Sequence, residues 1–91
     1  MKKFAWHYDN GHEWLEVDID YLKGMRIAGR ISSYSYYDKT SNMAYLEGDM
    51  DAAILYKAMG EAWNNDNAPH IDHGEATENP IRNMSRFPIP S

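Results

Sequence analysis

Two spacings of apolar residues divide the chain. Phe4, Trp6 and Tyr8 stand at every second position, which puts three rings on one face of a strand. Asp9-Asn10-Gly11 then reads as a tight turn, because Asn and Gly tolerate the positive φ that hairpin turns demand. In His12-Glu13-Trp14-Leu15-Glu16-Val17, Leu15 and Val17 share one face while His12, Trp14 and Glu16 share the other, so a second strand pairs with the first. Asp18 is placed to cap a short helix over Ile19 to Lys23 that stops at Gly24. Arg30 to Tyr37 reads as a third strand, rich in Ser and Tyr, followed by the polar loop Asp38 to Asn42 and a fourth strand, Met43 to Glu47. These two pair antiparallel. Gly48-Asp49-Met50-Asp51 ends the fourth strand and offers Asp49 or Asp51 as an N-cap. Ala52, Leu55, Tyr56, Met59 and Trp63 then follow at helical spacing, until Asn64 to Pro69 disfavours continuation.

The pattern predicts an α+β domain over residues 1–63, in the order ββαββα, with one main helix packed on a small antiparallel sheet. Residues 64–91 turn polar and hold all four prolines, which predicts an irregular C-terminal segment. Ile81, Met84 and Phe87, three apart, can dock a short turn of it on the body, with Pro80 accepted in the first turn. Repeats and low-complexity tracts are absent.

Composition narrows the class. A chain of 91 residues is one small domain that buries roughly 60–65% of its unfolded surface. With 43% hydrophobic residues, 12 of them aromatic, it fills a core and is unlike a disordered chain. The absence of cysteine removes disulfides, thiolate metal sites and a thiol nucleophile together, and suits a reducing cytoplasm. After Met1-Lys2-Lys3 the apolar run is far too short for a signal peptide, and no run approaches a membrane span. The expectation is a cytoplasmic protein with no membrane partner. The net charge of -5 is uneven: residues 1–43 carry six acidic and six basic side chains, whereas 44–80 carry eight acidic residues against Lys57 alone. Such a field aids solubility, repels nucleic acid and favours a partner with a basic surface.

Candidate chemistry is sparse. His12-Glu13-x-x-Glu16 lacks the second histidine of the zinc-protease helix. On a strand His12 and Glu16 still point the same way, and His7 or Asp9 across the turn could add a third ligand. His70-Ile71-Asp72-His73 is the other metal candidate. A metal-binding protein or metal-dependent enzyme using His12, Glu16, His70 and His73, with His7, is therefore the alternative reading. Glu47, Asp49 and Asp51 do not meet the calcium-loop template, and helix capping explains them more simply. No serine sits in a nucleophile turn and no glycine loop cradles phosphate. The expectation is a protein that is not an enzyme, with no cofactor. Tyr34, Tyr36 and Tyr37, with Tyr45 opposite, remain. Tyrosine supplies contact area and a hydroxyl at low entropy cost, so Tyr34, Tyr36, Tyr37, Glu47, Asp49 and Asp51 are the predicted partner-binding residues. Cross-strand packing inside the sheet competes with that reading. An apolar helix on a small core leaves homo-oligomerisation as a third reading.

Four segments carry a resemblance: Gly11 to Val17, Ile31 to Tyr36, Ala44 to Ala52, and Ile81 to Phe87. In them the chain resembles small proteins encoded by bacteriophages and mobile elements, a group without an assigned function. Gly48 and Met50 depart from the Glu and Cys expected of that pattern. The resemblance implies a setting in the host-cell cytoplasm. It also implies stoichiometric action on a host machine, as in anti-CRISPR-like inhibitors of bacterial immunity.

Overall fold

The structure, a computed structural model, describes residues 4–63 and 68–90. It is an α+β fold with one mixed sheet. The strands are β1 (Ala5–Tyr8), β2 (Glu13–Asp18), β3 (Tyr36–Asp38), β4 (Met43–Glu47), β5 (His70–Asp72) and β6 (Ser85–Arg86), and the helices are α1 (Ile19–Gly24) and α2 (Asp51–Met59). Strand order is β5-β1-β2-β4-β3-β6. All neighbours are antiparallel except β1 and β5. Among the described residues no helix is long and apolar enough to cross a membrane.

Strand alternation sorts the side chains onto two faces. Trp6, Leu15 and Leu46 face one another across β1, β2 and β4. They form the main core with Leu22 of α1 and with Ala52 and Leu55 of α2. The opposite face carries His7, Trp14 and Glu47 in one row and Glu16, Tyr45 and Tyr36 in the next. Trp14, Tyr36 and Tyr45 pack there around Ile81 as a second, smaller core.

The C-terminal segment was expected to be irregular over residues 64–91; its described part, 68–90, supplies both edge strands and the lid of this second core. Ile81 and Phe87 are buried and Met84 is partly buried. Asn79 caps the 3-10 turn Pro80–Asn83, its side chain accepting from the Ile81 amide, with Pro80 at the first position. Short strands with no apolar alternation, such as Ser85–Arg86, carry no periodic signal, which is why pattern reading misses them.

Three local expectations are corrected. First, Arg30 to Tyr37 is not a strand: Ala28–Arg30 is a 3-10 turn and only Tyr36–Asp38 pairs. The Ser32 amide and hydroxyl and the Ser35 hydroxyl all donate to Asp51 Oδ2, so this backbone turns onto a carboxylate instead of joining a ladder. Secondly, neither Asp49 nor Asp51 caps α2, whose N-cap is Met50. Glu47 Oε1 instead accepts from the Asp49 and Met50 amides, both at 2.9 Å. The helix ends at Met59, where Gly60 takes φ +58°, before the expected stop signal, of which residues 64–67 lie outside the described residues. Thirdly, the β1–β2 turn is closed by a side chain and not by positive φ: Asp9 Oδ1 accepts from the Gly11 and His12 amides.

Asp9 also ties the last segment down. Its Oδ2 accepts from Asn79 Nδ2 at 3.0 Å and Arg82 Nε at 2.7 Å, and Arg82 Nη2 reaches Oδ1 at 3.0 Å. The Arg82 guanidinium, with help from Asn79 and the two amides, holds the Asp9 carboxyl far below the ordinary carboxylate range against the opposing effect of burial. A lowered folded-state pKa contributes stability that is fully present above the unfolded value, near 3.9, and is lost as pH falls below it. Urea denaturation should therefore show stability falling from pH 4 to pH 2 with a slope approaching about 1.4 kcal/mol per pH unit from this group. Asp9→Asn should remove that component. Arg82→Ala should cost about 3 kcal/mol at pH 7, the lower end for stripping a buried charge, because three donors remain.

Candidate functional site

A cleft of about 410 Å³ opens on the second face of the sheet. Trp14 and Tyr36 form its base, their rings edge to face with centroids 6.2 Å apart. Arg82 lies over the Trp14 ring at 5.2 Å and Arg86 over the Tyr36 ring at 5.1 Å, so two guanidinium groups cover the base. Glu47, Asp49 and Met50, from the end of β4 and the turn that opens α2, line the cleft too, and Tyr34 and His12 complete the lining. The lining thus holds side chains of both charges. Arg82 is already paired with Asp9, which raises the guanidinium pKa, whereas the Arg86 guanidinium, besides the Tyr36 ring, has the Ser33 carbonyl at 3.3 Å as its hydrogen-bond acceptor among the described residues.

The rim is apolar. Tyr34 is 59% exposed and Met50 52%. Among the described residues only Ile71 joins them as a large exposed apolar side chain, so two of the three stand on this one cleft. Trp14 is buried, and its indole N–H has no hydrogen-bond partner among the described residues. A buried donor left unpaired costs about 1–3 kcal/mol. Within the lining, Trp14 is the polar group with the most to gain from an acceptor.

Four of the six predicted partner-binding residues meet at this cleft: Tyr34, Tyr36, Glu47 and Asp49. The other two do not. Tyr37, one residue on from Tyr36, points to the opposite face, is 8% exposed and packs edge-on against Phe87. Asp51, 2% exposed, is consumed by its three serine donors, and this bond set shapes the turn that presents Tyr34. Tyr36 and Glu47 are themselves largely buried, so Tyr34 is the one tyrosine of the predicted patch that stands free. Trp14, Met50, Arg82 and Arg86 were not predicted as site residues, and His12 was named only in the alternative metal set. The arginines come from the C-terminal segment, and only its fold-back over Asp9 brings them to Trp14 and Tyr36.

The alternative metal set is dispersed. His12 packs against Trp14 and its Nδ1 lies 2.6 Å from the Gly11 carbonyl. His70 lies on the other face of the sheet, edge-on to Tyr8. Glu16 and His73 do meet, but through His7: Glu16 Oε1 is 2.8 Å from His7 Nε2, and His73 Nε2 is 2.8 Å from His7 Nδ1. The three groups form a line with His7 in the middle, its two nitrogens facing opposite ways, so they do not converge on a point. Among the described residues no group of three or more His, Cys, Asp or Glu side chains is placed to hold a metal ion.

In comparisons with protein-family models, with curated proteins and with solved structures, nothing matches this chain.

The contrast between two acids two residues apart is testable. Asp51→Ala should cost about 3 kcal/mol, because it orphans buried serine donors, and should speed hydrogen exchange at the Ser32 amide. Asp49→Ala, at an exposed position, should change stability by less than about 0.5 kcal/mol. Chemical denaturation of the two variants checks both.

Proposed function

We propose that the chain is a protein-binding accessory protein of the phage or mobile-element kind, which docks through this cleft on a host protein with a basic surface. The observation that carries the reading is the composition of the cleft. Exposed Tyr34 and Met50 rim a base of Trp14, Tyr36 and two arginines, the residue types enriched where protein interfaces hold their binding energy. The preference for a basic partner is supported by the eight acidic residues against one lysine over residues 44–80, a field that speeds and steers encounter. Two of the eight, Glu47 and Asp49, line the cleft itself.

The reading implies action by occupancy and not by turnover, with a stoichiometric inhibitor of a host defence machine, anti-CRISPR-like, as its sharpest form. It is supported by the resemblance, whose four segments all reach the cleft, and it takes the protein to be a non-enzyme. The setting is the host-cell cytoplasm, with neither nucleic acid nor membrane bound directly.

Affinity capture from bacterial lysate should retain one host protein at a fixed stoichiometry. Tyr34→Ala should weaken that complex by about thirtyfold, the loss expected of an interface hot spot, while leaving the melting temperature unchanged. Asp49→Lys should weaken it too, and should flatten its salt dependence. Failure to retain any stoichiometric partner, or a Tyr34→Ala complex as tight as the parent, would reject the reading. An Asp49→Lys complex of unchanged affinity would reject the electrostatic part alone.

A further inference from the structure

We propose that the line Glu16–His7–His73 is an acid-sensitive latch that holds the edge strand β5 against β1. This does not depend on the cleft or on what occupies it. The geometry fixes the proton inventory. An ionised Glu16 can only accept, so His7 donates to it from Nε2. A neutral His7 then presents a lone pair at Nδ1, which accepts from His73 Nε2. The ring planes are 10° apart and the centroids 5.1 Å apart, about as far as two imidazoles with nitrogens in contact can be. The rings therefore lie end to end and not face to face, as a linear N–H···N bond requires.

This line accepts one proton without loss, at His73 Nδ1, which takes no part in it. Among the ring nitrogens, a second proton can go only to His7 Nδ1, where it points an N–H at the N–H of His73 and sets two cations side by side. Imidazole is the side chain through which mild acid acts on a protein, so acidification is the condition that probes this conflict. The charged and titratable groups facing His7 are Glu16 from β2, His73 after β5 and Tyr45 from β4, edge-on at 5.4 Å. Burial first, then Glu16 and Asp38, push the Tyr45 hydroxyl above its ordinary range, so Tyr45 stays neutral throughout. Ile71, on the same face of β5, is apolar.

What the latch holds is otherwise weakly held. All three residues of β5 are exposed, so the strand buries little apolar surface and belongs to the low-stability end of the fold. Its other ties among the described residues are the short ladder to β1, the edge-on contact of His70 with Tyr8, three flanking backbone bonds (Trp6 N to Pro69 O, His73 N to Tyr8 O, and Asn10 N to Gly74 O), and the exposed bonds of the Asn10 side chain with Glu75 and the Ala76 amide. From Asn79 onward the segment hangs on Asp9, which remains ionised through the same pH range. Acid thus frees β5 and leaves Ile81, Arg82 and Arg86 docked. Once β5 departs, the outer edge of β1 is an unpaired strand edge, the kind of surface that accepts another strand.

Amide hydrogen exchange on the full chain at pH 7.5 and pH 5.0, corrected for intrinsic rates, tests the latch. Protection at the Trp6 and His73 amides should fall at least tenfold on acidification, up to the limit of tenfold per pH unit for one linked proton. Protection at the Arg82 and Met84 amides should hold. His73→Gln keeps an N–H donor for neutral His7 and can turn its amide to accept from a protonated His7, so it should show equal protection at both pH values. A parent protein whose Trp6 and His73 amides are equally protected at both pH values overturns the proposal, as does a His73→Gln variant that loses protection as the parent does. Ring nitrogen shifts of the parent at pH 7.5 give a second reading: His7 protonated at Nε2 supports the latch, and His7 protonated at Nδ1 overturns it.

Discussion

Asp9 sits where β1 turns into β2, its carboxylate shielded from water and accepting five hydrogen bonds: two from backbone amides, one from Asn79 and two from Arg82. The two halves of this bond set do different things. The amide bonds close the hairpin, which sets the register that brings Trp6 to Leu15 and His7 to Trp14. The bonds to Asn79 and Arg82 bring back a segment from the far end of the sequence and lay Ile81 on the second face of the sheet. Gly11 belongs to the same arrangement, since a Cβ there would lie 3.3 Å from Arg82 Nη2. Without this carboxylate the sheet would have one covered face, and Trp14 would lack its cover.

A similar device works at the other end of the cleft. Asp51 gathers Ser32 and Ser35, and Ser35 donates onward to the Glu47 amide at 2.9 Å. One small network thereby joins the turn before β3, the end of β4 and the start of α2. The cleft lies between these two carboxylate-centred ties, which hold its walls in place while Tyr34 and Met50 remain outward. A rim of exposed apolar side chains on a stiff frame loses little conformational entropy when a partner arrives. That is the physical basis for proposing this face as a contact surface.

The parts of the fold that a periodic pattern encodes were legible in the sequence. The β1–β2 pair, the Asp18-capped α1, β4 and the apolar stripe of α2 all follow from spacing and capping chemistry, and together they give the α+β class. The parts built on side-chain-to-backbone bonds were not. Ser33 to Tyr36 alternates polar and aromatic residues like a strand, but the donors of Ser32 and Ser35 go to Asp51, a residue 16 or more positions away. The edge strands and the lid depend on Asp9 meeting Arg82 across 73 positions, and no local window contains that contact. The candidate site divides in the same way. Of the residues named by type as a contact patch, Tyr34, Tyr36, Glu47 and Asp49 line the cleft. Tyr37 and Asp51 are buried away from it, because alternation reverses at each step and because a carboxylate's surroundings depend on which donors reach it. The histidines were weighed as an alternative ligand set, whereas His7 lies between Glu16 and His73, a placement that needs the β1–β2 and β1–β5 registers together.

The proposed docking surface is the cleft. Site-specific photo-crosslinking probes it, with a photoreactive amino acid placed at position 34 on the rim or at position 71, the exposed apolar position on β5, and irradiation in bacterial lysate. Position 34 should yield one discrete crosslinked partner and position 71 none. Crosslinking of a discrete partner from position 71 with none from position 34 would overturn the proposal.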